Sequence, residues 1–229
     1  MNYSFSFLPK YLPYFVDGAV VTVLISFLVV FFGVIIGTIM ALCKLSKNVV
    51  LKTIANVYIE ILRGTPMLLQ LSIAFVIVKL TAPTITMGVL KIDFSLLLTG
   101  VIALSMNSGA YVAEIIRGGI NAVNIGQNEA ASSLGLRPTQ TMRYVILPQA
   151  ARNVLPALGN EFITVIKDSS LLAGFGVFEL YYGTKAVTTV TYQSLTPLLF
   201  AGLFYFVMTF ITSRLLKILE KKLEKGYSK

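Results

Sequence analysis

The chain has 229 residues, of which 56% are hydrophobic and 13% charged, with a mean hydropathy of +0.81 and a formal net charge of +9. That balance excludes a soluble domain of this length and identifies an integral membrane protein. The absence of histidine and the lone cysteine, Cys43, exclude a disulfide framework and a Cys/His metal site; basic residues gathered beside apolar runs, without interleaved aromatics, exclude a nucleic-acid groove.

Asn2 to Val16 is aromatic, with Pro9 and Pro13 arguing against a long regular helix, and reads as an interfacial lead-in with Asp17 as a cap. Residues 18–43 are uncharged and exceed the ~20 needed to cross a bilayer, so they form the first predicted span. No secretory signal is expected there, because the run is too long and lacks a small-residue cleavage site. After Lys44, Lys47 and Lys52, a second span is predicted over 53–78, carrying Glu60, Arg63 and Pro66. Glu60 and Arg63 stand at i, i+3, which suits either an ion pair near the inner interface or contact with a solute. Gly64 and Pro66 weaken the helix, as interruptions in transporter spans do at binding sites or hinges.

Leu80 to Asp93 reads as an outer loop, and 94–116 as the third span, with Asn107 and Ser108 in its inner half. The polar segment from Gly126 to Pro148 follows. Gln127, Asn128 and Glu129 suit the first turn of a short helix, Ala130 and Ala131 leave a thin surface, Gly135 suits a left-handed cap, and Pro138 suits the start of a second helix. Pro148 ends that helix or kinks it. The fourth span, 154–178, is interrupted by Pro156, Gly159, Asn160, Glu161, Lys167 and Asp168, and reads as a broken, polar-lined helix. Adjacent Lys167 and Asp168 are expected to neutralise one another. Glu179 to Lys185 reads as an outer turn and 186–213 as the last span, entered through Pro197. With five spans and an outside N-terminus, Lys44, Lys47, Lys52, Arg117, Arg137, Arg143, Arg152, Arg214, Lys217, Lys221, Lys222, Lys225 and Lys229 lie inside, and Lys10, Lys79, Lys91 and Lys185 outside. The positive-inside rule then gives an N-out, C-in, all-α protein with one transmembrane domain over 1–229.

Glu129, Ala130, Ala131, Gly135, Ile146, Leu147 and Pro148 resemble the EAA loop of membrane subunits of binding-protein-dependent ABC importers, with the final spacing compressed because Ile146 directly precedes Leu147. The strings EILRGTPMLLQL from Glu60, NSGAYVAEIIRGGINAV from Asn107 and LGNEFITVIKDSSLLA from Leu158 are similar to the polar amino-acid branch of that family, and the resemblance runs from Gly18 to about Arg214. It implies a type I ABC importer permease fold with cytoplasmic coupling helices, in which Gly126, Gln127, Glu129, Ala130, Ala131 and Gly135 engage a separate ATPase. It also implies a second permease copy or a paralogue, and an extracytoplasmic amino-acid-binding protein. Mg-ATP would belong to the ATPase; no cofactor is expected in this chain, which has no Walker A string.

A membrane enzyme is disfavoured by the missing histidine and the isolated Cys43. A secondary transporter would need two halves around a midplane site, and no internal repeat is visible, so that alternative requires an oligomer. For substrate contact the candidates are Glu161 and Asn160, with Gln70, Asn107 and Ser108 from neighbouring helices. Glu161 either bridges to Arg63 or Lys167, or receives a cationic group of the solute; the second option favours arginine, lysine or histidine, with glutamine as the rival served by Asn160 and Gln70.

Overall fold

The computed structural model describes residues 7–87 and 89–225. The start of the expected lead-in, residues 2–6, and Lys229 of the basic tail lie outside the described residues.

Helix α1 runs over Leu8–Leu45, 38 residues, or ~57 Å at 1.5 Å per residue, about twice the thickness of a hydrocarbon core. It begins ten residues before the predicted span. Pro9 sits in its first turn, where no intrahelical N–H is required, and Pro13 is tolerated only one turn further on. The prolines therefore open the helix rather than prevent it.

The second predicted span is two helices, α2 (Val49–Gly64) and α3 (Met67–Ile77), bent by 111°. Thr65 is extended, with φ −119° and ψ 149°, as a residue before proline must be. Its hydroxyl donates to the Ile61 carbonyl at 2.8 Å. Gln70 closes the break: its side-chain nitrogen donates to the Leu62 carbonyl and to Thr65 Oγ1, each at 2.8 Å. Asn107 adds a bond of 3.0 Å to the same Leu62 carbonyl and one of 2.9 Å to Gln70 Oε1. Carbonyls freed by the bend are thus satisfied inside an apolar surround, where each orphan would be costly.

The expected outer loop holds the exception to an all-helical chain, an antiparallel hairpin of β1 (Thr84–Met87) and β2 (Leu90–Asp93), in register Thr84 to Asp93 and Ile85 to Ile92. Asp93 then caps α4 (Phe94–Asn121), accepting from the Ser95 and Leu96 amides.

Helices α1 and α4 are the packed centre. Gly33 and Gly37, one turn apart, face Ser108 and Val112; a Cβ on Gly33 would stand 2.8 Å from Ser108 Oγ, and one on Gly37 2.6 Å from Val112 Cβ. This small-xxx-small stripe lets two backbones approach, which is how helices associate where the hydrophobic effect gives no net drive. Above it, Ile25 and Val29 of α1 pack with Leu71, Val101, Leu104 and Val165.

The polar segment gives α5 (Ile125–Ser133) and α6 (Pro138–Thr141), then a π-helical turn over Met142–Ile146 that feeds α7 (Leu147–Asp168). Asn124 caps α5, its side chain accepting from the Gly126 amide at 2.8 Å, so the helix starts before Gln127. Pro148 neither ends nor breaks the helix: it occupies the first turn of α7. Nor does Pro156 interrupt it. The expected break falls later, where Ser169 and Ser170 hydroxyls take the Ile166 and Lys167 carbonyls at 2.9 and 2.6 Å and the chain tightens into a 3-10 helix, Ser169–Phe175.

The last predicted span is also divided. Glu179 is not part of an exposed turn; it is fully buried and caps α8 (Leu180–Thr191), accepting from the Tyr182 amide at 2.7 Å and from Tyr205 Oη at 2.8 Å. Tyr192, in a left-handed conformation at φ 55°, ends α8, and α9 (Leu195–Lys225) follows. Among the described residues three helices are long and apolar enough to span a membrane, α1, α4 and α9, or four with the bent α2–α3 pair. Their outward faces carry Phe27, Phe31, Ile35, Phe206 and Phe210, all exposed, as a lipid-facing surface requires.

Candidate functional site

Two regions concentrate polar groups. The first is a cavity of about 240 Å³ between the α2–α3 break, α4 and α7. From the break come Thr65 and Met67; from α4 come Leu104, Asn107, Ser108 and Tyr111; from α7 come Glu161, Thr164, Val165 and Asp168. The α7 set has spacing i, i+3, i+4, i+7, one face of the helix. Glu161 Oε1 accepts from the buried Ser108 hydroxyl at 2.8 Å.

Neither the expected bridge to Arg63 nor the one to Lys167 forms: among the described residues every ion pair converges on Glu114. Asp168 is half-buried in the same lining and makes no ion pair with Lys167, because consecutive helical side chains diverge by about 100°. The cavity therefore presents two carboxylates and no lysine or arginine.

Asn160 is exposed and absent from the cavity lining; its recorded bond is a backbone one, accepted from Thr164 Oγ1. Gln70 faces an apolar groove beside the cavity and spends its amide on the helix break. Asn107 lines the cavity but donates to Leu62 and Gln70. Of the sequence candidates, Glu161, Ser108 and Asn107 come together; Asp168, Thr164 and Tyr111 join them unanticipated. A helical wheel of α7 would have placed Thr164 and Asp168 beneath Glu161, since the period alone fixes that face.

Three residues beyond Tyr111 on α4, outside the cavity lining, Glu114 sits among three cations: Lys44 at 2.7 Å, Arg117 at 2.8 Å and Arg63 at 3.7 Å. Arg63 turns away from Glu60, which is exposed, and its guanidinium lies 5.2 Å from the Tyr111 ring centroid. The cluster ties α1, α2 and α4 together next to a residue of the cavity wall.

The second region is the α5–α6 segment. Gly135 has φ +78°, and the Leu136 and Gly135 amides donate to the Ala131 and Ser132 carbonyls at 3.1 and 3.0 Å, the paired bonds of a Schellman cap. Ala131 is buried against the following turn, whereas Gln127, Glu129, Ala130 and Leu134 are exposed, Leu134 at 83%. Gln127 Oε1 accepts from the Gln149 side chain at 3.1 Å, tying α5 to the start of α7. The segment is thus an exposed, capped helix with an apolar tip, followed from Pro138 by continuous helix into α7, which carries Glu161.

The family described as "Binding-protein-dependent transport system inner membrane component" matches residues 33–225. A putative glutamine transport system permease protein GlnP of Rickettsia typhi is 40% identical over 97% of this chain and 98% of its own length. The arginine transport system permease protein ArtQ of Bacillus subtilis is 37% identical over 98% and 99%. Among solved structures, a crystal structure of an amino acid ABC transporter with histidines superposes at a TM-score of 0.88, with 41% identity, 97% of this chain and 100% of that one covered. An inward-facing MetNI methionine ABC transporter, at 19% identity and a TM-score of 0.66, shares the fold. With nearly all of its length matched by such relatives, the chain belongs to the family of binding-protein-dependent ABC importer membrane components, as a multi-pass permease subunit.

Proposed function

We propose that the chain takes up amino acids bearing a cationic group, and that Glu161, Ser108 and Asp168, with Asn107 behind them, form the contact site. The observation that carries this reading is the cavity with two carboxylates and no cation of its own. Charged groups are kept inside a membrane protein when something completes them. A volume of about 240 Å³ is below the ~300–1,000 Å³ typical of sites for drug-sized ligands, which suits a single small solute. Relatives named for arginine and for glutamine leave both open, but the amide groups best placed for a glutamine, Gln70 and Asn107, are already spent on the helix break.

In this reading α1, the α2–α3 pair, α4, α7 with its 3-10 extension, and α9 make five crossings, N-out and C-in, in one transmembrane domain. Gly126, Gln127, Glu129, Ala130, Ala131 and Gly135 meet a separate ATPase that holds the Mg-ATP, so this chain is not itself an enzyme. A second copy or a paralogue completes the pore, and an extracytoplasmic binding protein delivers the solute. Closure of the ATPases moves the two coupling segments together, and rocking of the paired permeases alternates access to the cavity. The test is uptake by the complex reconstituted with its ATPase and binding protein, with arginine, lysine, histidine and glutamine competing. Arginine or lysine should compete most strongly. Uptake driven by an ion gradient without ATP would replace this reading with the secondary transporter.

A further inference from the structure

Helix α9 continues well past its uncharged stretch, which ends at Ser213, and the last three turns carry a different chemistry. Arg214, Lys217 and Lys221 stand at i, i+3 and i+7, one face of the helix, with Lys222 beside them, and all four are exposed. None of them is ion-paired among the described residues. A shallow depression lies along this face, lined by Arg214, Lys217, Ile218, Glu220 and Lys221. Its apolar flank is open too, with Leu215 62% and Ile218 55% exposed.

Water alone does not suit exposed leucine and isoleucine alternating with basic residues; the boundary between acyl chains and headgroups does. The position fits that boundary, because Arg214 lies with its guanidinium 4.9 Å from the ring centroid of Phe210, a residue of the exposed apolar face. The extension is also held in place. Leu216, on the opposite side, is seated against Gly159 of α7, where a Cβ would collide with the Leu216 methyl groups. The basic face is therefore presented from a fixed platform.

We propose that Arg214, Lys217 and Lys221 form a binding site for the phosphate headgroup of an anionic phospholipid, whose acyl chains lie on Ile218 and Leu215. The test is native mass spectrometry of the purified full chain, titrated with phosphatidylglycerol against phosphatidylcholine. Phosphatidylglycerol should bind selectively, and R214Q/K217Q/K221Q should weaken it on the order of 100-fold, since each basic contact near an anionic surface is worth about one fivefold step. The charge-keeping variant R214K/K217R/K221R should retain it, which separates lost charge from lost folding. Soluble glycerol 3-phosphate should fail to compete. Equal binding of the two lipids, unchanged binding in the glutamine variant, or full competition by glycerol 3-phosphate each overturns the proposal. So does loss of ATPase assembly in the glutamine variant with phosphatidylglycerol binding intact, which gives the face to a protein partner.

Discussion

Glu114 on α4 and Glu161 on α7 are carboxylates on packed helices with opposite company. Glu114 has three cations within 4 Å, drawn from α1, α2 and its own helix; Glu161 has a serine hydroxyl, and a second carboxylate, Asp168, stands two turns along the same face of α7 in the cavity lining. A completed charge cluster fixes helices relative to one another. An incomplete one, enclosed and shaped, is open to a ligand that supplies the missing charge. The difference separates an acid that is already paired from the one we propose for recognition, without reference to either residue's identity.

The sharpest way to break this comparison is Glu161→Gln, which keeps the shape and removes the charge. A charge-assisted bond to a cationic solute is worth about 1.5–3 kcal/mol, so arginine uptake should fall roughly 10- to 150-fold. Thermal stability should hold or rise, because no cation loses its partner. Undiminished uptake of arginine in proteoliposomes would make Glu161 structural and remove the cationic preference.

Glu114→Gln is the mirror experiment. Lys44, Arg63 and Arg117 would repel one another without their shared acceptor, at a cost of about 1–2 kcal/mol given their partial exposure, or roughly 2–8 °C in unfolding temperature. An unchanged melting curve in detergent would show that the cluster holds nothing together.

Asp168→Asn tests whether the second carboxylate belongs to the same site. Lacking a donor like Ser108, it should act through its field rather than contact, giving a decrease of about fivefold or less in uptake of cationic solutes and none in any residual glutamine uptake. Equal losses for both solutes would place Asp168 outside recognition.

Glu129 is a third kind of acid, exposed on α5 with no ion pair among the described residues. Glu129→Ala should leave the stability of the isolated chain within about 0.5 kcal/mol while weakening co-purification of the ATPase. Normal assembly and uptake in this variant would deny the segment its coupling role.

The sequence made local chemistry readable and long-range company unreadable. Gly135 and Pro138 announce the α5–α6 turn because a left-handed cap and a first-turn proline are properties of single residues. Gly64 and Pro66 announced a weakness but not a 111° bend, since the angle is set by what Gln70 and Asn107 can reach across the gap. The division between α8 and α9 was hidden in a continuous uncharged run, where hydropathy has no period to lose. Lys167 and Asp168 are adjacent yet form no ion pair, and Arg63 misled by a plausible neighbour at i−3, when its partner lay on another helix. The Gly33–Gly37 stripe was visible in the sequence as a small-xxx-small pattern, which marks a close-packing face of α1 but not the helix that meets it.

The π-helical turn at Met142–Ile146 carries a consequence for the evolution and engineering of the loop. A π turn is an α-helix that has absorbed one surplus residue within a single widened turn, so the segments on either side keep nearly the phase they would have without it. Deleting a single residue there would let the backbone relax into ordinary α-helix with little rotation of what precedes it, because the widened turn gives up its extra residue and still closes one full turn. A deletion in the regular helix between Leu147 and Asn160 has no such slack, and would swing the exposed tip at Leu134 by about 100° around the axis with Glu161 unmoved. Length is therefore tolerant at the π turn and a phase setting in the regular helix beyond it: one residue can be lost at Met142–Ile146, but an indel in α7 must come with a compensating one to keep the tip and the cavity in their present relation.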